Sequence, residues 1–513
     1  MALPQGLRSL LTPAAYPHPV AAVQLVETHI SWILLTGEFA YKIKRPVQLP
    51  FVDQRSLEHR AFLCAEELRL NHRFAPDLYL GVCDITQDGS GIRISGSGAV
   101  IEHAVKMRQF DRNDGLDRLL DAQCVEPAEL ERFGRQLARI HAGLPTVHHG
   151  ERWGHPDTVR MTVLRNAQES ARLLPDDYAT RVLAIQTLLE SQLGSAARWM
   201  KRRWEGDKVR ECHGDLHCSN VVRLGSELTA FDGLEFEPAF RWIDVADEVG
   251  FLCADLAALD RPAHAQAFLG GYLAESGDFD LCPFLRVYAT HRSLVRAKVE
   301  ALSAIESTAS RRMIEAHLEC AWRFLHPRRP ALVLVSGVSG SGKTWLAQRL
   351  APGLDAIHLR SDVERKRLSG FPESARTGSA LGQGVYSLDL SGRVYQHLAS
   401  AARSTLAGGF TTLVDATFGR RADRLLFRDL ARELGVPICL VRCSAPPEVL
   451  RERLVARGIE GKDASEADAS VLAWQEEHWQ PIRPTEALPV IEASTADPEV
   501  MLGLRRDLAM LHN

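Results

Sequence analysis

Gly337-Val338-Ser339-Gly340-Ser341-Gly342-Lys343-Thr344 fits the phosphate-binding loop pattern G-x-x-x-x-G-K-[ST] at every position. Each residue type has a physical job. Glycines at 337, 340 and 342 let the backbone take positive φ and approach an anion closely. The amides of the loop, those of Ser339 and Ser341 among them, then point inward and form an anion cradle with the following helix N-terminus. Lys343 supplies a point charge for the β and γ phosphates of ATP, and Thr344 a hydroxyl for Mg²⁺. The setting agrees: Ala331–Ser336 is an apolar run of strand length before the loop, and Trp345–Leu350 continues as a helix. A nucleotide site is expected here, although more than half of the chain precedes it.

The bulk numbers leave room for that preceding part. A chain of 513 residues exceeds the usual size of a single core, so two or three domains are expected. A formal charge of −4 gives no reason to expect nucleic acid or a membrane surface as partner. The ten cysteines show neither a C-x-x-C pair nor paired metal-ligand spacing, which favours reduced thiols in a cytoplasm. No apolar run approaches the roughly 20 residues needed to span a bilayer. His326-Pro-Arg-Arg-Pro330 reads as a linker, dividing the chain into a first domain of 1–326 and a second of 330–513.

The first domain begins with strands. Val20–Val26, Ser31–Thr36 and Phe39–Lys44 are apolar or alternating runs, and a helical pattern follows from Leu57 to Phe74. A second β region covers Leu78–Met107, with a hairpin turn at Asp88-Gly89-Ser90-Gly91. From Pro127 onward helices dominate: Leu130–Ala142, Val159–Leu174, Tyr178–Arg203, and one opening at Arg241. A β-rich start and a helical body suggest two lobes. The helical body is interrupted between 209 and 237 by Cys212-His-Gly-Asp-Leu-His-Cys-Ser-Asn220 and then Leu228-Thr-Ala-Phe-Asp-Gly233. Phosphoryl transfer needs a carboxylate to accept a hydroxyl proton, and an Asn and a second Asp to hold Mg²⁺ against the phosphates. His-x-Asp-x-x-x-x-Asn, followed by an apolar strand ending in Asp, supplies these parts in order. Taken singly, the same residues suit a tight turn, a helix cap and a strand end.

This stretch resembles the aminoglycoside phosphotransferase-like branch of the kinase fold, which carries His-Gly-Asp where protein kinases carry His-Arg-Asp. The resemblance implies an α+β bilobal fold with a small β-rich N-lobe and a helical C-lobe. It implies that Asp215 is the catalytic base, that Asn220 and Asp232 are metal ligands, and that His213 orders the loop. It also calls for a strand lysine paired with a helix glutamate to hold the nucleotide. Lys42, in Phe39-Ala-Tyr-Lys, and Glu67 match; Lys44 shares the strand face and Glu66 the helix, so both remain open. Asp244 corresponds to a helix Asp that holds the catalytic-loop backbone, and equally suits an N-cap. No G-x-G-x-x-G precedes Lys42; Thr28-His-Ile-Ser31 stands in that turn, which weakens a protein-kinase reading more than a small-molecule one.

After the phosphate loop, strands Ala356–Arg360, Thr411–Asp415 and Pro437–Cys443 alternate with helices, the pattern of an α/β domain with a parallel sheet. Asp415 ends an apolar strand in the position that holds Mg²⁺ directly or through water. The domain resembles small kinases of the zeta-toxin, gluconate-kinase and chloramphenicol-phosphotransferase type. That resemblance implies Asp362 as the group that orients or deprotonates an acceptor hydroxyl, with an N-cap as its structural alternative. It offers Arg365 for substrate or phosphate, and Arg453 and Arg457, at i and i+4, as lid arginines reaching the transferring phosphoryl group. The combined expectation is a cytosolic, bifunctional ATP- and Mg²⁺-dependent phosphotransferase acting on small hydroxylated molecules. A nucleotide-gated regulator, or a protein kinase or toxin-like first domain, is the alternative.

Overall fold

The computed structural model describes residues 3–49, 52–89, 91–147, 151–302, 307–373, 375–377, 388–460, 464–509 and 511. Ser90 of the expected hairpin turn lies outside them. The chain groups into two compact units, 1–163 with 197–255 and 164–196 with 256–513.

The first unit carries a six-stranded antiparallel sheet in the order Gln24–Glu27, Ser31–Leu35, Phe39–Lys44, Ala99–Arg108, Tyr79–Asp88, Gly91–Ile94. Asp88 pairs with Gly91, which closes the expected hairpin. Strand alternation sorts the side chains onto two faces. Tyr41 and Ile43 pack with Trp32, Leu34, Ile85 and Ala104, under a cover of Leu3, Leu7 and Leu10. Ala40 faces the opposite side with Val105, Tyr79 and Cys64 of the helix Leu57–Asn71. Lys42 and Lys44 share the parity of Ala40 and therefore point at that helix. Beyond the sheet, Val221–Leu224 and Glu227–Ala230 form a hairpin, and Val209–Glu211 pairs with Trp242–Asp244.

That last pairing departs from the sequence expectation of a helix opening at Arg241. A short helix Pro238–Arg241 is followed by the strand, and the long helix starts only at Val245 and runs to Ala258. Trp242 and Ile243, with their strand propensity, pair in register with Glu211 and Arg210.

The second unit is built on a five-stranded parallel sheet in the order Ala356–Arg360, Thr411–Asp415, Leu332–Ser336, Ile438–Ser444, Val490–Ser494. Every residue of Leu332–Ser336 is buried, as a central parallel strand covered on both faces requires. The strand Val490–Ser494, at one edge, has a single buried residue, and Glu492 and Ser494 break up its apolar pattern. Helices Pro262–Ser276, Cys282–Leu302 and Thr308–Leu325, which precede the linker at 326–330, group with this unit. Gln266 donates to the Ala356 carbonyl at 2.6 Å, and Arg286 Nε to the Gly408 carbonyl at 2.8 Å. The chain thus joins a kinase-like bilobal fold to a parallel-sheet phosphate-loop fold.

Candidate active sites

The phosphate loop leaves the central strand at Ser336 and turns into the helix Lys343–Leu350. Gly340 and Gly342 sit at φ of 82° and 81°, the left-handed region where side chains are strained. A Cβ on Gly340 would also lie 2.8 Å from the Leu450 carbonyl oxygen. Gln475 accepts the Ser339 amide at 2.7 Å. Lys343 donates to the Val338 carbonyl at 2.9 Å, across its own loop.

The Thr344 hydroxyl donates to Asp415 at 2.6 Å, which brings together the two oxygen donors the sequence nominates for Mg²⁺. His358 Nε2 lies 3.4 Å from the same carboxylate. Burial pushes Asp415 up, but His358, Lys343 and Thr344 outweigh it and hold the carboxyl at about 2, ionised and suited to a hard cation. Sequence reading passed over His358 because a single His in an apolar strand carries no motif.

Asp362 stands in the first turn of the helix Ser361–Leu368, half-buried. The strand before it pairs Arg360 with Asp415, so Asp362 sits just past the carboxyl edge of the strand beside Asp415. Arg365 on the same helix donates to Ser391 at 3.2 Å. The two lid arginines part company. Arg453 braces the phosphate loop through the Gly340 carbonyl at 3.3 Å and Thr495 Oγ1 at 2.8 Å, and Thr495 donates on to the Ser341 carbonyl at 2.9 Å. Arg457 instead donates to the Ala467 carbonyl at 2.7 Å.

In the first unit, Asn220 donates to the Asp215 carbonyl at 3.0 Å and to its carboxylate at 3.1 Å. With its nitrogen committed, its amide oxygen is the atom left to meet a cation. His213 spans the loop, from the Asp215 amide at 3.3 Å on Nδ1 to the Phe231 carbonyl at 2.8 Å on Nε2. It thereby ties the Asp215 loop to the strand that delivers Asp232.

Across from them, Lys42 meets Glu67 at 2.8 Å and contacts Asp232. Lys44 contacts both Glu67 and Glu235, its own side chain and that of Glu67 having no exposure at all. Both lysines that the sequence left open therefore engage Glu67. Glu66 turns outward to Arg69 at 2.8 Å. Burial pulls the Lys42 ammonium down, and the carboxylates of Asp232 and Glu67 more than offset it. Two lysines face three carboxylates, and burial pushes the third, Glu235, above its ordinary range. The Asp232 carboxylate and the Asn220 amide oxygen are the hard oxygen donors beside this cluster, the kind a divalent cation takes.

The backbone of this loop is held by residues that sequence reading did not name. Glu248, fully buried, accepts the His213 amide at 3.0 Å, the Gly214 amide at 2.7 Å and His141 Nε2 at 3.0 Å. Asp255 accepts the Cys218 amide at 2.8 Å. Asp244, nominated for that role, instead forms a two-pronged pair with Arg203 at 2.8 Å and accepts the Ala246 amide. It lies in the strand Trp242–Asp244, one helical turn too early to reach the loop. His141, Cys212 and Glu248 are close enough to share a cation. Burial holds the Cys212 thiol far above its ordinary pKa, however, and the Glu248 oxygens already accept three donors, so the trio reads as a loop anchor.

Residues 332–482 match the sequence family described as an AAA domain. An uncharacterized protein of Mycobacterium tuberculosis is 29% identical over 471 residues, spanning 90% of this chain and 92% of its own. Among solved structures, a choline/ethanolamine kinase family protein from Mesorhizobium loti is similar over 62% of this chain and 93% of its own, with 12% identity and a TM-score of 0.37. A gluconokinase from Sinorhizobium meliloti is similar over 36% of this chain and 95% of its own, with 21% identity and a TM-score of 0.25. No described helix is long and apolar enough to cross a membrane.

Proposed function

We propose that the chain is an ATP-dependent phosphotransferase with two sites, each passing a phosphoryl group to a hydroxyl of a small molecule. The observation that supports this best is the pair of clusters in the first unit, Asn220 on the Asp215 carboxylate and Lys42 between Glu67 and Asp232. In this reading Lys42 binds the nucleotide phosphates and Glu67 holds Lys42. Asp215 takes the acceptor's proton as its oxygen attacks the γ phosphorus in line, and ADP leaves. Asn220 and Asp232 would hold Mg²⁺, which neutralises charge on the transferring group. In the second unit, the phosphate loop and Lys343 bind the triphosphate, Thr344 and Asp415 would hold Mg²⁺, and Asp362 faces the acceptor. Arg365 and Arg453 lie along that site. A small hydroxylated metabolite, sugar or antibiotic-like compound suits the first site, which lacks a glycine-rich strand turn before Lys42.

ATP consumption against a library of hydroxylated metabolites tests the proposal, with Asp215→Ala and Lys343→Ala made singly and together. Each variant is expected to abolish turnover of one substrate class, and the double variant both. Unchanged consumption in the double variant with a confirmed substrate refutes the reading. Bound nucleotide without any phosphorylated product favours a nucleotide-gated regulator, and labelled phosphate on protein favours a protein kinase.

A further inference from the structure

The segment Asp232–Glu235 is gripped far more closely than a metal-bearing turn requires. Asp232 itself adopts φ of 64°, a left-handed conformation uncommon for a residue with a side chain. Its amide donates to the Tyr79 hydroxyl at 3.0 Å. Gly233 is read on both sides by the fully buried Asn71. Asn71 Oδ1 accepts the Gly233 amide at 2.7 Å, while Nδ2 donates to the Gly233 carbonyl at 3.3 Å. A Cβ at that position would crowd the His213 ring at 3.1 Å and Asn71 Oδ1 at 3.3 Å, so a larger residue needs both to give by a few tenths of an ångström. Leu234 donates its amide to the His213 carbonyl at 3.0 Å. Glu235 contacts Lys44 by its carboxylate and accepts from Arg241 at 3.0 Å by its carbonyl.

Asn71 is the residue that makes these contacts a single device. It ends the helix Leu57–Asn71, one turn after Glu67, and its Nδ2 also donates to the Glu67 carbonyl at 3.0 Å. One rigid helix therefore sets both the Lys42-holding carboxylate and the backbone that aims Asp232. We propose that Asn71, seconded by Tyr79, is a positioning residue for the divalent cation of the first site: it fixes the 232–235 backbone so that the Asp232 carboxylate is presented without rearrangement. This rests on the reading of Asp232 as a metal ligand. It makes cation affinity at that site depend on a side chain that touches neither metal nor nucleotide.

The test uses the whole chain carrying Lys343→Ala and Asp415→Asn, which remove the phosphate-loop lysine and the second site's metal carboxylate so that only the first site reports, and Mn²⁺ with ADP as probe. Asn71→Ala is expected to raise the Mn²⁺ half-saturation, followed by electron paramagnetic resonance, about 10-fold or more. ADP affinity without metal should stay within about 3-fold, because the side-chain bonds of Asn71 go to the Glu67 carbonyl and Gly233, not to Lys42. Hydrogen exchange of the 232–235 amides in metal-free protein should quicken by about 10-fold or more. Tyr79→Phe, which keeps the ring, should shift both readouts in the same direction by about 3-fold, and serves where Asn71→Ala does not fold. Quickened exchange with unchanged Mn²⁺ affinity would make Asn71 merely structural, and unchanged exchange would remove the clamp; either overturns the proposal. Failure of the unsubstituted first site to bind Mn²⁺ with ADP is a different result, because it refutes Asp232 as a metal ligand.

Discussion

Substituting Glu248 by Gln probes how the first site is held. The carboxylate is fully buried and accepts two loop amides and His141 at 2.7–3.0 Å. Gln keeps one acceptor oxygen and turns the other into an N–H donor facing an N–H. Hydrogen bonds to a charged group contribute about 1.5–3 kcal/mol each, and a buried amide left unpaired costs about 1–3 kcal/mol. Part of each overlaps with the other, so the expected net loss is about 3 kcal/mol. For a unit of this size that lowers the unfolding midpoint by roughly 6–12 °C. Calorimetry on the full chain should show the first unit's transition moving and the second's staying in place. Hydrogen exchange at 213–216 should rise with it. Turnover at the first site should fall about 100-fold while the KM for ATP stays within about 3-fold, since the displaced group is the proton acceptor and not the phosphate site. Glu248→Ala should cost more, and His141→Ala should be partly non-additive with it. A Glu248→Gln protein within about 1 °C of the parent, with unchanged exchange at 213–214, refutes the anchoring argument.

Three further outcomes follow from contacts in the two units. Burial pushes Glu211 up, but Arg69, Arg241 and Arg73 hold it at about 2, below its ordinary 4.5. A depressed carboxylate stabilises the fold above its unfolded-state pKa and loses that contribution as pH falls through its folded value, so the first unit should weaken between pH 4.5 and 2. Glu211→Gln should be less stable at neutral pH and show a flatter acid limb in urea titrations; an identical limb counts against it. Arg453→Ala, which frees the Gly340 carbonyl and Thr495, should weaken ATP binding at the phosphate loop by about 10-fold, while Arg457→Ala should leave it within about 2-fold. Calorimetric titration decides between them, and equal effects would return both arginines to the lid role. Gly340→Ala places a Cβ 2.8 Å from the Leu450 carbonyl at φ of 82°, so a cost of about 1–3 kcal/mol in the second unit's stability is expected by thermal melt.

The parts of this protein that could be read from sequence are those whose chemistry is local. The phosphate loop packs its whole function into eight consecutive residues with a strand on one side and a helix on the other. The parallel sheet was legible because central strands such as Leu332–Ser336 are uninterrupted apolar runs. Val490–Ser494 escaped because it buries one residue only and carries a broken apolar pattern, whereas the opposite edge strand Ala356–Arg360 buries three. In the first unit, spacing nominated Asp215, Asn220 and Asp232, and the fold sets Asn220 against the Asp215 carboxylate. The groups that hold them were not nominated, because Glu248, Asn71 and Tyr79 act through single contacts between distant segments, and no local pattern records them. The expected loop anchor fell on Asp244 rather than Glu248 for the same reason. Both are acids at the start of one segment, and only the intervening turn from strand to helix decides which carboxylate reaches the loop.

This difference in construction has an energetic consequence. The phosphate loop draws its donors from backbone amides and a helix terminus, groups that every sequence supplies, so its specificity lies in three glycines, a lysine and a threonine. The first site draws on side-chain charge instead. It buries Lys42, Lys44, Glu67 and Glu235 together, an arrangement in which desolvation works against every member and only mutual pairing offsets it. Removing one partner strands another charge in the interior. On the proposed reading, the same buried network serves stability and chemistry at once in the first unit.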